Sequence, residues 1–443
     1  MARLAMSGFE MNDILTGNFG QPDGVTGGVA ASETTIVRSG LRSVKCDSGA
    51  GNAVTNVQVA PAGINTAITS AGTITIYNRW CFYFRDLPSS LVGIGGIVTS
   101  INGQVDPVNE APIRLGIDSA GVLKIASGAV PVSTLCTFNE SLVTGVWYRL
   151  EVSVTFTIIA ATSVNVTINE ARLNGVALTI ASGSLYNRTW TSATPQAVYS
   201  VAAGWNNPPG ANKVCYVDDV ATNDSSGAQQ NSWCGEGKIV LLKPTADNAI
   251  GTGWTDSGGA TTGLWQSVDN TPPTGIADTT SSAGHQIRNA SSSSSNYDAT
   301  LTTYAAAGIG ASDTITVIKP FVSVGAPVAT GAKTGSLGIT TNPTITNIAF
   351  ASNSGSLNTF WQGNAPATYP GLGWKWEFGT TTYNPTVTVG TAPVMRVSIT
   401  GGTAARIAMA ESMGAYVEYV PGVPKSLVAP ARRQQIRQLT RWY

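Results

Sequence analysis

The run Val214-Cys-Tyr-Val-Asp-Asp-Val-Ala-Thr-Asn-Asp224, followed by Asn231-Ser-Trp-Cys-Gly-Glu-Gly-Lys-Ile-Val-Leu-Leu-Lys-Pro-Thr-Ala-Asp-Asn248, decides the fold. Its first part is an alternating strand that ends in a cluster of polar turn formers. A Gly-rich connection follows, and Lys238–Lys243 opens a new apolar strand. This reads as the end of one β-sandwich and the start of another.

Upstream, residues 1–13 read as a lead-in strand anchored by Phe9. Period-2 alternation then predicts strands at Thr35–Arg38, Ser43–Asp47, Asn52–Val59, Thr73–Phe84, Ile113–Asp118, Val122–Ala126, Trp147–Ile158, Val164–Leu173, Ala197–Gly204 and Lys213–Ala221. Asp118-Ser-Ala-Gly121 and Leu173-Asn-Gly-Val176 supply hairpin turns, the second through its Asn-Gly pair. Downstream, a long polar stretch runs from Ala246 to about Asn296. Strands resume at Asp298–Tyr304, Thr314–Val324, Gly335–Thr340, Thr344–Ala351, Leu357–Trp361, Trp374–Phe378, Val394–Thr400 and Ala415–Val420. Ala404–Met413 has a helix-like composition that suits a strand plus turn equally well. The fold class expected is therefore all-β, with two consecutive antiparallel β-sandwiches. Residues 1–223 form the first, 224–237 a linker, 238–421 the second, and 422–443 a short basic arm.

Composition supports this. Of the 443 residues, 49 are glycine and only 11% are charged, against ~25% in ordinary domains. The 11 tryptophans supply material for packed cores and exclude general disorder. The 25 basic and 25 acidic residues cancel, but Lys425, Arg432, Arg433, Arg437 and Arg441 fall in an arm without acids. The arm is thus +5 and the remainder −5. A near-neutral chain exerts little pull on nucleic acid or anionic membrane, and a weakly charged surface favours association into a homo-oligomer or larger assembly. The opening Met1-Ala-Arg-Leu-Ala-Met-Ser-Gly8 lacks the apolar core of a signal peptide, and no run of ~18 apolar residues offers a membrane span, so synthesis in a cytoplasm is expected. Cys46, Cys81, Cys136, Cys215 and Cys234 are odd in number and widely spaced, which reads as reduced core residues.

Five segments carry a family likeness: Ser7-Gly-Phe-Glu10, Ile113-Arg-Leu-Gly-Ile-Asp-Ser-Ala-Gly-Val-Leu-Lys124, Gly145-Val-Trp-Tyr-Arg-Leu-Glu-Val152, Leu173-Asn-Gly-Val176 and Tyr216-Val-Asp-Asp-Val220. In order and spacing they resemble the concanavalin A-like, laminin-G-type jelly roll over residues 7–223. The continuation through Gly237-Lys-Ile-Val-Leu-Leu-Lys-Pro-Thr-Ala-Asp-Asn248, Asp269-Asn-Thr-Pro-Pro-Thr-Gly275 and Tyr416-Val-Glu-Tyr419 resembles structural proteins of tailed bacteriophages. That resemblance implies a virion component, on head or tail, whose partners are other virion proteins.

Concanavalin A-like folds also include glycoside hydrolases, which need two carboxylates ~5–9.5 Å apart. The Glu-x-Asp-x-Glu strand of the laminarinase type is absent here. Asp218 and Asp219 are neighbours, so on a regular strand they face opposite sides and cannot form that pair. No enzymatic activity and no required cofactor are expected. With Asp224, the two aspartates are a candidate Ca²⁺ set; the alternative is that one carboxylate holds a loop through backbone N–H groups. Trp205 with Asn206, and Trp361 with Gln362, fall in loops, as do Trp254 and Trp265. A flat ring beside an amide suits a host-surface glycan, though buried or interface tryptophan explains the same residues. On the arm, Arg432, Arg433, Arg437 and Arg441 with Trp442 and Tyr443 suit docking onto an acidic partner surface; nucleic-acid contact and a solvated terminus are the alternatives. His285, the single histidine, reads as a solvated loop residue. Gly93-Ile-Gly-Gly96 and Gly308-Ile-Gly310 read as turn glycines.

Overall fold

The computed structural model describes residues 3–9, 24–26, 29–53, 55–59, 72–98, 113–128, 133–160, 163–191, 201–226, 230–256, 258–269, 287–289, 293–325, 334–339, 342–349, 375–378, 392–400 and 408–422. These residues are all-β, with four antiparallel sheets and one 3-10 turn at Leu264–Ser267. No helix among them is long and apolar enough to cross a membrane.

The first sandwich faces a nine-stranded sheet against an eight-stranded one. At the centre of the nine-stranded sheet, Thr73–Phe84 lies between Trp147–Ala160 and Val214–Asp224. Its alternation turns Ile76, Trp80, Phe82 and Phe84 inward. They meet Ile94, Leu115, Ile117 and Ile125 from the other sheet in one buried cluster. The Asn174-Gly175 hairpin forms as expected, both residues at positive φ, 51° and 87°. The second sandwich faces a six-stranded sheet against a five-stranded one. Its core gathers Leu242, Trp254, Tyr297, Leu301, Leu337, Val397 and Val417.

Several expectations need correction. Thr35–Arg38 is a bend, because its residues fold back toward Asp218 rather than pairing with a strand. Gly93-Ile-Gly-Gly96 lies in the strand Val92–Val98. A side chain at Gly93 would run into the Arg114 stem, and one at Gly95 would press on the Trp80 ring, so glycine here answers to packing. Gly308, at φ 87°, is a turn glycine as expected. Parts of the polar stretch after Ala246 are strands: Pro244–Ile250, Trp254–Asp256 and Ile287–Asn289. Ala408–Val420 is a single strand that takes in residues 408–413 of the segment of helix-like composition, whose residues 404–407 lie outside the described residues. The expected strand Leu357–Trp361 lies outside the described residues.

Residues 230–237 of the expected linker are packed against the first sandwich. Trp233 sits edge-on to Tyr77 at 5.4 Å and beneath the Arg172 guanidinium at 3.9 Å. Gly235 N–H donates to Glu151 at 2.8 Å. A third apolar cluster, of Met6, Ala221, Cys234, Ile239, Val317, Phe321 and Tyr416, joins the two sandwiches. Val214–Asp224 is buried along its whole length, with Cys215, Val217 and Val220 in the first core and Ala221 in the joining cluster.

Candidate functional site

The densest polar constellation lies at that junction. It forms because the outward faces of Thr73–Phe84 and Trp147–Ala160 present Arg79, Arg149 and Glu151 where solvent would normally stand. A buried charge is tolerated only when paired and hydrogen-bonded. Here Arg79 finds Glu418 of the second sandwich, while Arg149 and Glu151 find Glu236 and Gly235 of the connecting stretch.

Glu418, on the last strand of the second sandwich, receives a two-pronged bond from Arg3: Nη1 to Oε1 at 2.9 Å and Nη2 to Oε2 at 2.8 Å. Arg79 Nη1 lies 2.7 Å from the same Oε1, and Thr316 Oγ1 donates to Oε2 at 3.0 Å. Arg3 continues to Asn223 Oδ1 and Gln230 Oε1. Burial alone would raise the Glu418 carboxyl, but the charges and hydrogen bonds of Arg3 and Arg79 hold it at about 2. Gly237 passes so close to Glu418 and Arg79 that no side chain fits there.

Asp218 and Asp219 belong to the same junction. The strand carries a β-bulge between Asp218 and Ala221, with Asp219 at φ 47°. The extra residue places both carboxylates on the 38–39 bend, instead of on opposite faces as a regular strand requires. Asp218 Oδ2 accepts from the Arg38 and Ser39 N–H groups at 2.9 and 3.2 Å, and Oδ1 from Asp219 N–H at 2.7 Å. Asp219 Oδ1 accepts from Ile239 N–H at 2.7 Å, and Oδ2 pairs with the Arg38 guanidinium. Burial, then the Asp219 charge, push the Asp218 carboxyl up against those three N–H donors. Arg38 also reaches Gly237 O and Glu236. Arg149 binds Glu236 at 2.5 Å and lies 3.2 Å from Glu151.

This arrangement bears on the two readings of the aspartates. Their oxygens hold a bend and a strand start, as the hydrogen-bonding alternative has it. Asp224 stands apart from them, with Oδ1 accepting from Ser226 N–H and Oγ at 2.9 and 2.6 Å. Among the described residues no group of three or more His, Cys, Asp or Glu side chains is placed to hold a metal ion. Asp218, Asp219 and Asp224 thus do not converge on a Ca²⁺ position.

Trp205 and Asn206 are corrected as well. Trp205 closes the strand Val201–Trp205, is fully buried, donates from Nε1 to Lys213 O at 3.1 Å and packs 5.8 Å from Phe84. Asn206 is buried beside it. Neither presents a surface to a sugar; the alternation around Val201 had pointed to a strand, but the following Asn-Asn-Pro-Pro masked that it reaches residue 205. Trp254 is likewise a core residue, and Trp265 lies half-buried on the 3-10 turn. Trp361 and Gln362, His285, and the arm residues Arg432, Arg433, Arg437, Arg441, Trp442 and Tyr443 lie outside the described residues. Arg3, Arg38, Arg79 and Glu418 escaped sequence reasoning. The only signal was their position in otherwise apolar strands or, for Arg38, near a turn.

No family model matches the chain, and no curated protein matches it. Among solved structures it is similar to a cellulose induced protein at 18% identity, over 52% of this chain and 99% of that one, with a TM-score of 0.30. Domain 4 of an extracellular arabinanase from Geobacillus stearothermophilus, in complex with arabinotriose, is similar at 19% identity, over 50% and 92%, TM-score 0.28. An endo-beta-1,4-glucuronan lyase from the fungus Trichoderma reesei is similar at 12% identity, over 50% and 95%, TM-score 0.32. Likenesses this weak assign neither ligand nor reaction to the chain.

Proposed function

We propose that the chain is a non-enzymatic structural subunit of a tailed-bacteriophage virion, a decoration, head-fibre or tail-associated protein that acts through subunit contacts. The junction carries the structural half of this reading. Asp218, Asp219, Glu151 and Glu418 are all buried and bound to arginines or backbone donors, and Asp219 and Glu418 tie one sandwich to the other. Glycoside hydrolysis needs a carboxylate pair open to substrate, and these carboxylates are closed off from it. The virion setting is supported by the resemblance of Gly237–Asn248, Asp269–Gly275 and Tyr416–Tyr419 to tailed-phage structural proteins, with 422–443 as the docking arm.

The test is immunogold electron microscopy of purified phage particles with antibody against residues 1–223. Gold over the head assigns decoration or a head fibre; gold at the tail assigns a tail-associated role. Unlabelled particles, or release of reducing ends from host polysaccharide by the purified protein, would overturn the proposal. The rival reading, a carbohydrate-binding adhesin, has lost Trp205 and Asn206 and rests on Trp361 and Gln362. Glycan-array binding abolished by Trp361→Ala would put it first.

A further inference from the structure

Cys46 and Cys215 stand directly opposite each other across the antiparallel pair formed by Ser43–Asp47 and Val214–Asp224. Directly opposed residues of an antiparallel pair have Cα atoms ~4.5–5.5 Å apart, inside the ~4.4–6.8 Å window of a disulfide. Their side chains leave the sheet on the same face, into the first core, and both are fully buried. Burial, then the neighbouring Cys46 thiol, push the Cys215 thiol well above its ordinary range. The remaining cysteines face other residues across their strand pairs: Cys81 opposes Arg149 and Asp218, and Cys136 opposes Ile125 and Gly183. Cys234 lies in the junction cluster. All five are free thiols.

We propose that Cys46 and Cys215 are a specific oxidation site, joined as a cross-strand disulfide when a small-molecule disulfide such as oxidised glutathione meets the chain before the first sandwich closes. The thiolate of one cysteine attacks the reagent, releasing one glutathione thiolate and leaving a mixed disulfide on the protein. The second cysteine attacks the protein sulfur of that mixed disulfide and releases the second glutathione. Two protein thiols lose two protons and two electrons, and the reagent disulfide becomes two thiols. Timing follows from burial. Desolvation keeps the Cys215 thiol protonated in the folded chain, so exchange there is slow, and the bridge forms during folding or when Ser43–Asp47 opens. Because the link closes a loop of about 170 residues, it restricts the unfolded chain strongly.

The experiment refolds the full-length chain in excess oxidised over reduced glutathione, traps free thiols by alkylation, and maps unreduced peptides by mass spectrometry. The expected result is a peptide pair joined through Cys46 and Cys215, three alkylated cysteines, and a thermal midpoint raised by about 5–10 °C over the reduced chain. Cys215→Ala should lose both the link and the gain. Five alkylated cysteines, or links through Cys81, Cys136 or Cys234, would overturn the proposal. The peptide map and thiol count on the unmutated chain decide the matter even if the variant does not fold.

Discussion

At the scale of single residues, Glu418 concentrates the argument. It is a fully buried anion whose two oxygens serve two arginines from the other sandwich. Removing one partner of such a set leaves uncompensated charge, which costs about 3–5 kcal/mol. Glu418→Gln should therefore lower the urea midpoint markedly at pH 7. The pH dependence has a definite sign. Since the folded carboxyl is held at about 2, below its ordinary 4.5, its stabilisation is complete above about pH 4.5 and is lost as pH falls toward 2. Asp218, pushed up, acts in the opposite sense, so the informative quantity is the difference between the parent chain and Glu418→Gln. That difference should shrink from pH 5 to pH 2; a constant difference would remove Glu418 as the acid-sensitive group. The alternation Tyr416-Val-Glu-Tyr419 told of a strand with Glu418 on the face opposite Val417. It could not tell that a second sandwich covers that face, because the covering arginines lie hundreds of residues away.

At the scale of elements, some strands were legible to the residue and others were not. Thr73–Phe84 and Ser43–Asp47 were bounded correctly from alternation alone, because one face of each meets a core. Val92–Val98 was not, since glycine is depleted from strands and its local signal is that of a turn. The reason for glycine at 95 is the Trp80 ring, whose atoms would lie 3.3 Å from a Cβ placed there. Gly95→Val adds two further methyl groups against that ring, and overpacking of this kind costs about 1–3 kcal/mol. The thermal midpoint should fall by several degrees, and near-ultraviolet circular dichroism should report a disturbed tryptophan. An unchanged midpoint would mean that Trp80 has room to move. The bulge at Asp218–Ala221 was equally hidden: consecutive aspartates read as alternating, and only the positive φ at Asp219 brings both carboxylates to one bend.

At the scale of the whole molecule, the two-sandwich plan was legible from the change of pattern near residue 230, whereas the union of the sandwiches was not. Turn-forming composition made 224–237 look like a spacer, yet Trp233, Cys234 and Gly235 are packed or hydrogen-bonded against the first sandwich. An apolar cluster and a buried charge network together cross the boundary. Interfaces of this kind couple folding, whereas a flexible spacer leaves domains to unfold separately. The full chain should accordingly show one calorimetric transition whose van't Hoff and calorimetric enthalpies agree. Phe321→Ala removes a fully buried ring from the joining cluster at a cost of about 3–5 kcal/mol. If the cluster is what unites the sandwiches, this variant should split the single peak into two, with the second sandwich melting first because it loses the ring directly. Two peaks already in the parent chain would mean that the junction orients the sandwiches without coupling their stability, and the case for a fixed-register structural subunit would weaken accordingly.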